Sequence, residues 1–150
     1  MKDAMEPYQH IINHKLVTDW FGHWTAFHDA EVLSMALDRG PLEDGAGPNL
    51  VVQLHAFEPT LEVDDFDYSR LVKHAIITLE FGGVEGITLD GLNRQNVLFQ
   101  LDFAEAASEK EQPALDVRFC ASFGVECAFR STWARVKSVE PGKPSEGLYA

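Results

Sequence analysis

FGHWTAFHDAEVLSMALDR, Phe21 to Arg39, is where the chain changes its period. Upstream of it, Tyr8, Ile11, Ile12, Leu16, Val17, Trp20 and Phe21 recur at helical spacing and make one apolar face. A helix is predicted over Tyr8–Phe21, with Pro7 in its first turn and Gly22 as its stop. Inside the run, Glu31 to Arg39 alternates, with Leu33, Met35 and Leu37 on one side, which is the period of a half-buried strand. The rest of the chain is strand-like, so this corner separates one helix from everything that follows.

Asn49–Phe57 alternates, with Leu50, Val52, Leu54 and Ala56 on one face, and Leu71–Phe81 does so more strongly. Val84–Leu89 reads as a short strand. Asn96–Phe103 reads as another, with Val97, Phe99, Leu101 and Phe103 inward, or else Leu98 turned to a second layer. Leu115–Ser122, Val125–Arg130 and Thr132–Val139 form a terminal meander. Between them lie the loop Gly40–Pro48, a long polar connection Glu58–Arg70, a Gly82-Gly83 turn and a charged loop Ala104–Pro113. The count is about seven or eight strands, connected too closely for helical crossovers, so pairing is antiparallel. The predicted class is α+β, mostly β: an N-terminal helix packed on a curved, mostly antiparallel sheet or a two-layer sandwich. Residues 1–140 make a single domain and 141–150 a C-terminal tail. A chain of 150 residues can build its own core without a disulfide or a structural metal.

The formal net charge is -12, which disfavours nucleic acid and anionic membrane as partners and favours a basic protein surface. The acid is concentrated: Glu43 to Glu111 holds fourteen carboxylates against four Lys or Arg. From Ala114 to Val139 the balance reverses, with Arg118, Arg130, Arg135 and Lys137 against Asp116 and Glu126. Cys120 and Cys127 flank Gly124, so they could face one another across a hairpin, but buried free thiols in a reducing compartment fit better. The start MKDAMEPYQH has no apolar signal core, and a cytoplasmic protein is expected.

Two clusters carry possible chemistry. His23, His28, Asp29 and Glu31 have residue types that could hold zinc or iron, or pair a base with an orienting acid, as in a small metal-dependent enzyme or binding module. On a strand, however, His28 and Asp29 would point to opposite faces, and no second cluster completes a site. The other reading makes Trp24, Phe27, His28 and Asp29 a structural corner, with the aromatics as core anchors and the polar groups satisfying backbone. The second cluster is the acidic connection, where Glu58, Glu62, Asp64, Asp65 and Asp67 could meet a cationic partner, with Phe66 and Tyr68 as aromatic anchors. It lacks the glycine and terminal glutamate of a calcium loop. The serines sit in no nucleophile-elbow context and no phosphate-binding glycine loop occurs, so the chain reads as a non-enzyme that needs no cofactor. A β domain binding an apolar small molecule inside a curved sheet is a further alternative.

Phe21-Gly22-His23-Trp24 followed by Phe27-His28-Asp29-Ala30-Glu31-Val32 resembles the bacterial immunity protein 50 family. Leu79–Phe103, LEFGGVEGITLDGLNRQNVLFQLDF, is similar to the middle of that family, and Phe123–Val136, FGVECAFRSTWARV, to its terminal hairpin. The resemblance implies a protein that protects a bacterium from a polymorphic toxin by binding the cognate toxin domain. It carries no catalytic residues with it. The acidic middle fits a basic nuclease toxin, whose substrate cleft it could occlude.

Overall fold

A computed structural model describes residues 5–40, 47–63, 69–108 and 111–144. It contains one short helix and eight strands: α1 (Lys15–Phe21), β1 (Glu31–Asp38), β2 (Asn49–Val63), β3 (Ser69–Gly82), β4 (Glu85–Asp90), β5 (Val97–Ala106), β6 (Ala114–Phe123), β7 (Glu126–Ser131) and β8 (Trp133–Pro141). All strands belong to one antiparallel sheet in the order β4-β7-β6-β5-β1-β2-β3-β8.

The sheet is not flat. Phe81 on β3 and Phe129 on β7 stand five strands apart in that order, yet their ring centroids are 5.0 Å apart. Across a flat sheet such a span would be roughly 24 Å at the usual strand spacing. The sheet has therefore folded over, with β4-β7-β6-β5 facing β1-β2-β3-β8. Phe81 also meets Phe103 of β5 and Phe119 of β6, each at 6.4 Å. Curved sheet and two-layer sandwich thus turn out to be one object.

The inward faces follow the alternation. Leu50, Val52, Leu54 and Ala56 are buried on β2, and Ala75, Ile77, Leu79 and Phe81 on β3. Both chain crossings between layers, β3 to β4 and β7 to β8, occur side by side, with Thr132 N–H donating to Gly82 O at 2.9 Å. A side chain on Gly82 would collide with the Trp133 indole, so only glycine fits there.

The predicted helix Tyr8–Phe21 is corrected by the structure. Pro7–His10 is a 3-10 turn, Asn13 has a φ of 63°, and only Lys15–Phe21 is α-helical. The interruption has a tertiary cause: Ile12 N–H donates to Ala134 O (2.9 Å) and Val136 N–H to Ile12 O (2.8 Å). Ile12 therefore leaves the helix to pair with the exposed edge of β8, satisfying backbone groups that an open edge leaves unpaired. Val17 and Phe21 still enter the core, as the apolar face requires. None of the described helices is long and apolar enough to cross a membrane.

Two further expectations change. The long polar connection Glu58–Arg70 is largely strand, since β2 runs to Val63 and β3 begins at Ser69. Phe99 points outward rather than inward, and Leu98 takes the core position. The sheet has irregular register on both sides of Leu98 against β6, and each extra residue reverses the face of those beyond it.

Candidate functional site

The run Trp24–Glu31 is the joint between the two layers. β1 and β5 share a single residue pair, Glu31 with Val97. The preceding corner supplies the rest of the seam: Leu101 N–H to Ala26 O (3.1 Å), Asp29 N–H to Leu98 O (2.8 Å), Leu98 N–H to Ala30 O (2.9 Å) and Val32 N–H to Asn96 O (2.8 Å). The bend requires left-handed backbone at Phe27 (φ 59°) and Asp29 (φ 66°). That conformation is unfavourable for phenylalanine, and burial of its ring against Trp24 (centroids 5.7 Å) helps to hold it there. Thr25 Oγ1 accepts the Phe27 N–H at 3.0 Å. Trp24 also stacks on Tyr8 at 5.0 Å and meets Phe103 edge-on at 5.9 Å.

Because residues 27–30 turn rather than extend, His28 and Asp29 do not diverge as strand alternation predicts. His28 Nε2 lies 3.6 Å from Asp29 Oδ2, and His28 Nδ1 is 2.8 Å from Phe99 O. A carbonyl only accepts, so Nδ1 carries the proton and donates it to Phe99 O. Both side chains are more than half exposed. His23 is held elsewhere, with Nε2 against the Glu58 carboxylate and Nδ1 3.1 Å from Trp24 O. The candidate ligand set His23, His28, Asp29 and Glu31 is thus divided between separate partners. Among the described residues no group of three or more His, Cys, Asp or Glu could hold a metal ion.

Of the acidic connection, Glu58 and Glu62 lie in β2, Glu58 opposite Val72 of β3. Asp64, Asp65, Phe66, Asp67 and Tyr68 lie outside the described residues. On the stem of this hairpin the structure adds a pair the sequence did not single out. His55 Nε2 is 3.0 Å from His74 Nδ1, the ring centroids are 5.2 Å apart, and the rings lie 21° from parallel. That centroid distance is close to the N···N distance plus two ring radii, so the rings meet edge to edge. One nitrogen donates and the other accepts. A second proton would set N–H against N–H. Phe57 leans on both rings at 5.4 and 5.6 Å.

Burial lowers the pKa of both histidines from the usual 6.5, aided at His55 by His74 and at both by Lys143. The unfolded chain therefore binds more protons below pH 6.5 than the folded one. The pair's contribution to stability is complete above pH 6.5 and is lost as the pH falls through the folded values. Denaturation midpoints measured from pH 8 to 5 are expected to fall less steeply in His74→Gln than in the parent; parallel curves would remove this assignment.

The cysteines do not face one another. Cys127 is directly opposite Phe119, the neighbour of Cys120, so the two thiols project from opposite faces of the sheet. Cys127 is buried and desolvation pushes its thiol up to about 11; burial, then Asp102, raises Cys120 as well. Thiol titration of native protein at pH 8 is expected to modify Cys120 slowly and Cys127 only after denaturation. Rapid reaction of both would contradict the placement.

The sequence profile of a family described as Immunity protein 50 matches residues 13–142, from the end of the N-terminal turn through the end of β8. Neither a curated protein nor a solved structure matches the chain. The match spans most of the chain, including the corner, the β2–β3 hairpin and both layers, and on that extent the protein belongs to the Immunity protein 50 family.

Proposed function

We propose that this chain binds a cognate bacterial toxin domain and neutralises it by stoichiometric occlusion, without catalysis of its own. The observation that carries this reading is the family match over residues 13–142. The net charge of -12 supports a basic counterpart, such as the substrate cleft of a nuclease toxin. In this reading the acidic β2–β3 hairpin, with Glu58, Glu62, Asp64, Asp65, Phe66, Asp67 and Tyr68, draws the toxin in. Glu58 is already engaged by His23.

The direct test is co-expression with a candidate toxin domain, chosen as the variable C-terminal domain of a secreted protein if one is encoded beside this chain's gene. Cells are expected to survive; death with both proteins soluble and abundant ends the reading for that pair. Changing Glu62, Asp64, Asp65 and Asp67 together to amides is expected to slow association about tenfold at low salt and to flatten its dependence on ionic strength. An unchanged rate and salt slope would remove the hairpin from the contact.

A further inference from the structure

Three large apolar side chains stand exposed on neighbouring segments: Leu92 (57 %), Phe99 (54 %) and Phe123 (54 %). They come from the loop after β4, the start of β5 and the end of β6. Val97, two residues before Phe99, is paired with Phe123.

These segments are fixed by one buried side chain. Asn96 Oδ1 accepts the backbone N–H of Asn93 (2.8 Å) and of Val125 (3.1 Å), while its Nδ2 donates to Asn93 O (2.8 Å). Its own carbonyl accepts Val32 N–H, tying in β1. Gly91 and Gly124 permit the close approach. A Cβ on Gly91 would lie 2.6 Å from Gly124 O, and one on Gly124 would lie 2.6 Å from Asn96 Oδ1. The apolar groups are therefore displayed on backbone that is hydrogen-bonded in place. Preorganised anchors of this kind lose little entropy when a partner covers them.

The surroundings are mostly acidic, with Arg118 lining the same groove as Asp90 and Glu126. Asp90 and Glu126 are directly opposed across β4 and β7, both exposed, and neither has an ion-pair partner among the described residues. Like charges in that position repel, and a cation placed between them would relieve the repulsion. Asp29 lies beside His28, whose ring meets Phe99 edge-on at 5.6 Å. Arg94 is the one guanidinium on the linking loop.

The geometry points to this patch, centred on Phe99 and Phe123 and rimmed by Asp29, Asp90 and Glu126, as the anchoring surface for the toxin domain. The inference rests on the toxin-binding reading above and adds a division of labour to it. Its occupant presents an apolar protrusion flanked by Lys or Arg. The acidic rim disfavours a second copy of this chain, which would bring like charge against like. In this division the hairpin charges act on the encounter, whereas aromatic groups desolvated at the centre of a contact govern how long it lasts.

The test measures association and dissociation of the purified toxin domain against which this chain protects cells on co-expression, in catalytically inactive form. Phe99→Ser and Phe123→Ser are each expected to raise Kd at least about tenfold through faster dissociation, with association unchanged within about twofold. Glu126→Lys is expected to weaken binding as well. Leu37→Ser, an equally exposed leucine at the far end of β1, serves as the control and keeps the parental affinity. Thermal unfolding confirms that each variant is folded, as expected for exposed positions.

Parental binding with every patch variant within twofold of it overturns the patch and leaves the toxin-binding reading standing. Failure of the parent itself to bind overturns both. A parent that is dimeric in solution and made monomeric by Phe123→Ser assigns the surface to a second copy and overturns the toxin as its occupant.

Discussion

Phe81→Ala is expected to lower the free energy of unfolding by about 3–5 kcal/mol, a large share of the 5–15 kcal/mol that a domain of this kind possesses. Phe81 is one of the largest fully buried side chains, and its position matters more than its size. It sits on β3, in one layer, while three of its ring partners, Phe103, Phe119 and Phe129, sit on three strands of the other. Truncation removes apolar area and leaves a cavity between the layers. Backbone hydrogen bonds run along the sheet and cannot close that gap. Chemical denaturation at neutral pH measures the effect. Ile77→Val, which removes one methylene from the same strand, is expected to cost only about 0.5–1.5 kcal/mol. A loss below about 1.5 kcal/mol for Phe81→Ala would mean that the layers close over the space and that the aromatic cluster is not what holds the fold shut.

Asn96→Ala is the second large effect, expected at about 2–4 kcal/mol. Its mechanism is different. Nothing apolar is lost, but one acceptor that serves two backbone donors disappears, and the Asn93 carbonyl loses its donor. Val125 is completely buried, so its N–H has no easy route to water. An orphaned buried donor costs its whole desolvation penalty, roughly 1–3 kcal/mol, whereas a bond made against water is worth less. Hydrogen exchange offers a local check: the Val125 amide is expected to lose protection more than amides at the centre of β3. A shift in denaturation midpoint no larger than that of a surface substitution would show that water replaces the side chain. If Asn96 also displays the apolar patch, the same variant weakens toxin binding more than its stability loss alone explains.

The comparison of residues with coordinates separates what is local from what is not. Leu50, Val52, Leu54 and Ala56 alternate in the sequence and all four are buried, because a strand's period of two is imposed by its own backbone. The helix was visible in its apolar spacing, but its boundaries were not. Ile12 abandons helical geometry to pair with β8, a partner more than a hundred residues away in the chain. The choice between Phe99 and Leu98 as the core residue stays open in the sequence for a related reason. The alternation of Phe99 is regular, yet an irregularity against β6 reverses its face, and nothing in the local pattern marks that event.

The candidate sites divide in the same way. His28 and Asp29 were legible as a polar pair within an aromatic corner. Their closeness depends on the left-handed backbone at Asp29, which no strand pattern announces. The pairing of His23 with Glu58, and of His55 with His74, joins residues from different segments; neither has any signature in local spacing. Asn96 closes the polar stretch Asn93-Arg94-Gln95-Asn96, one residue before β5 begins. Its role as a common acceptor for Asn93 and Val125 needs the β6–β7 turn folded against it.

The sequence by itself determined the class of the protein: one helical segment, a series of antiparallel strands with known inward faces, a strongly acidic middle, and family membership carried in part by FHDAEV. Tertiary structure alone decided that the sheet folds over on the corner at Phe27–Glu31, which strands border which, and which apolar residues remain outside. The reason is physical. Periodicity records how each residue meets its own segment's backbone. Register, bulges and the closing of two layers are settled by hydrogen bonds and packing between segments far apart in the chain, and these come into being only when the chain has folded.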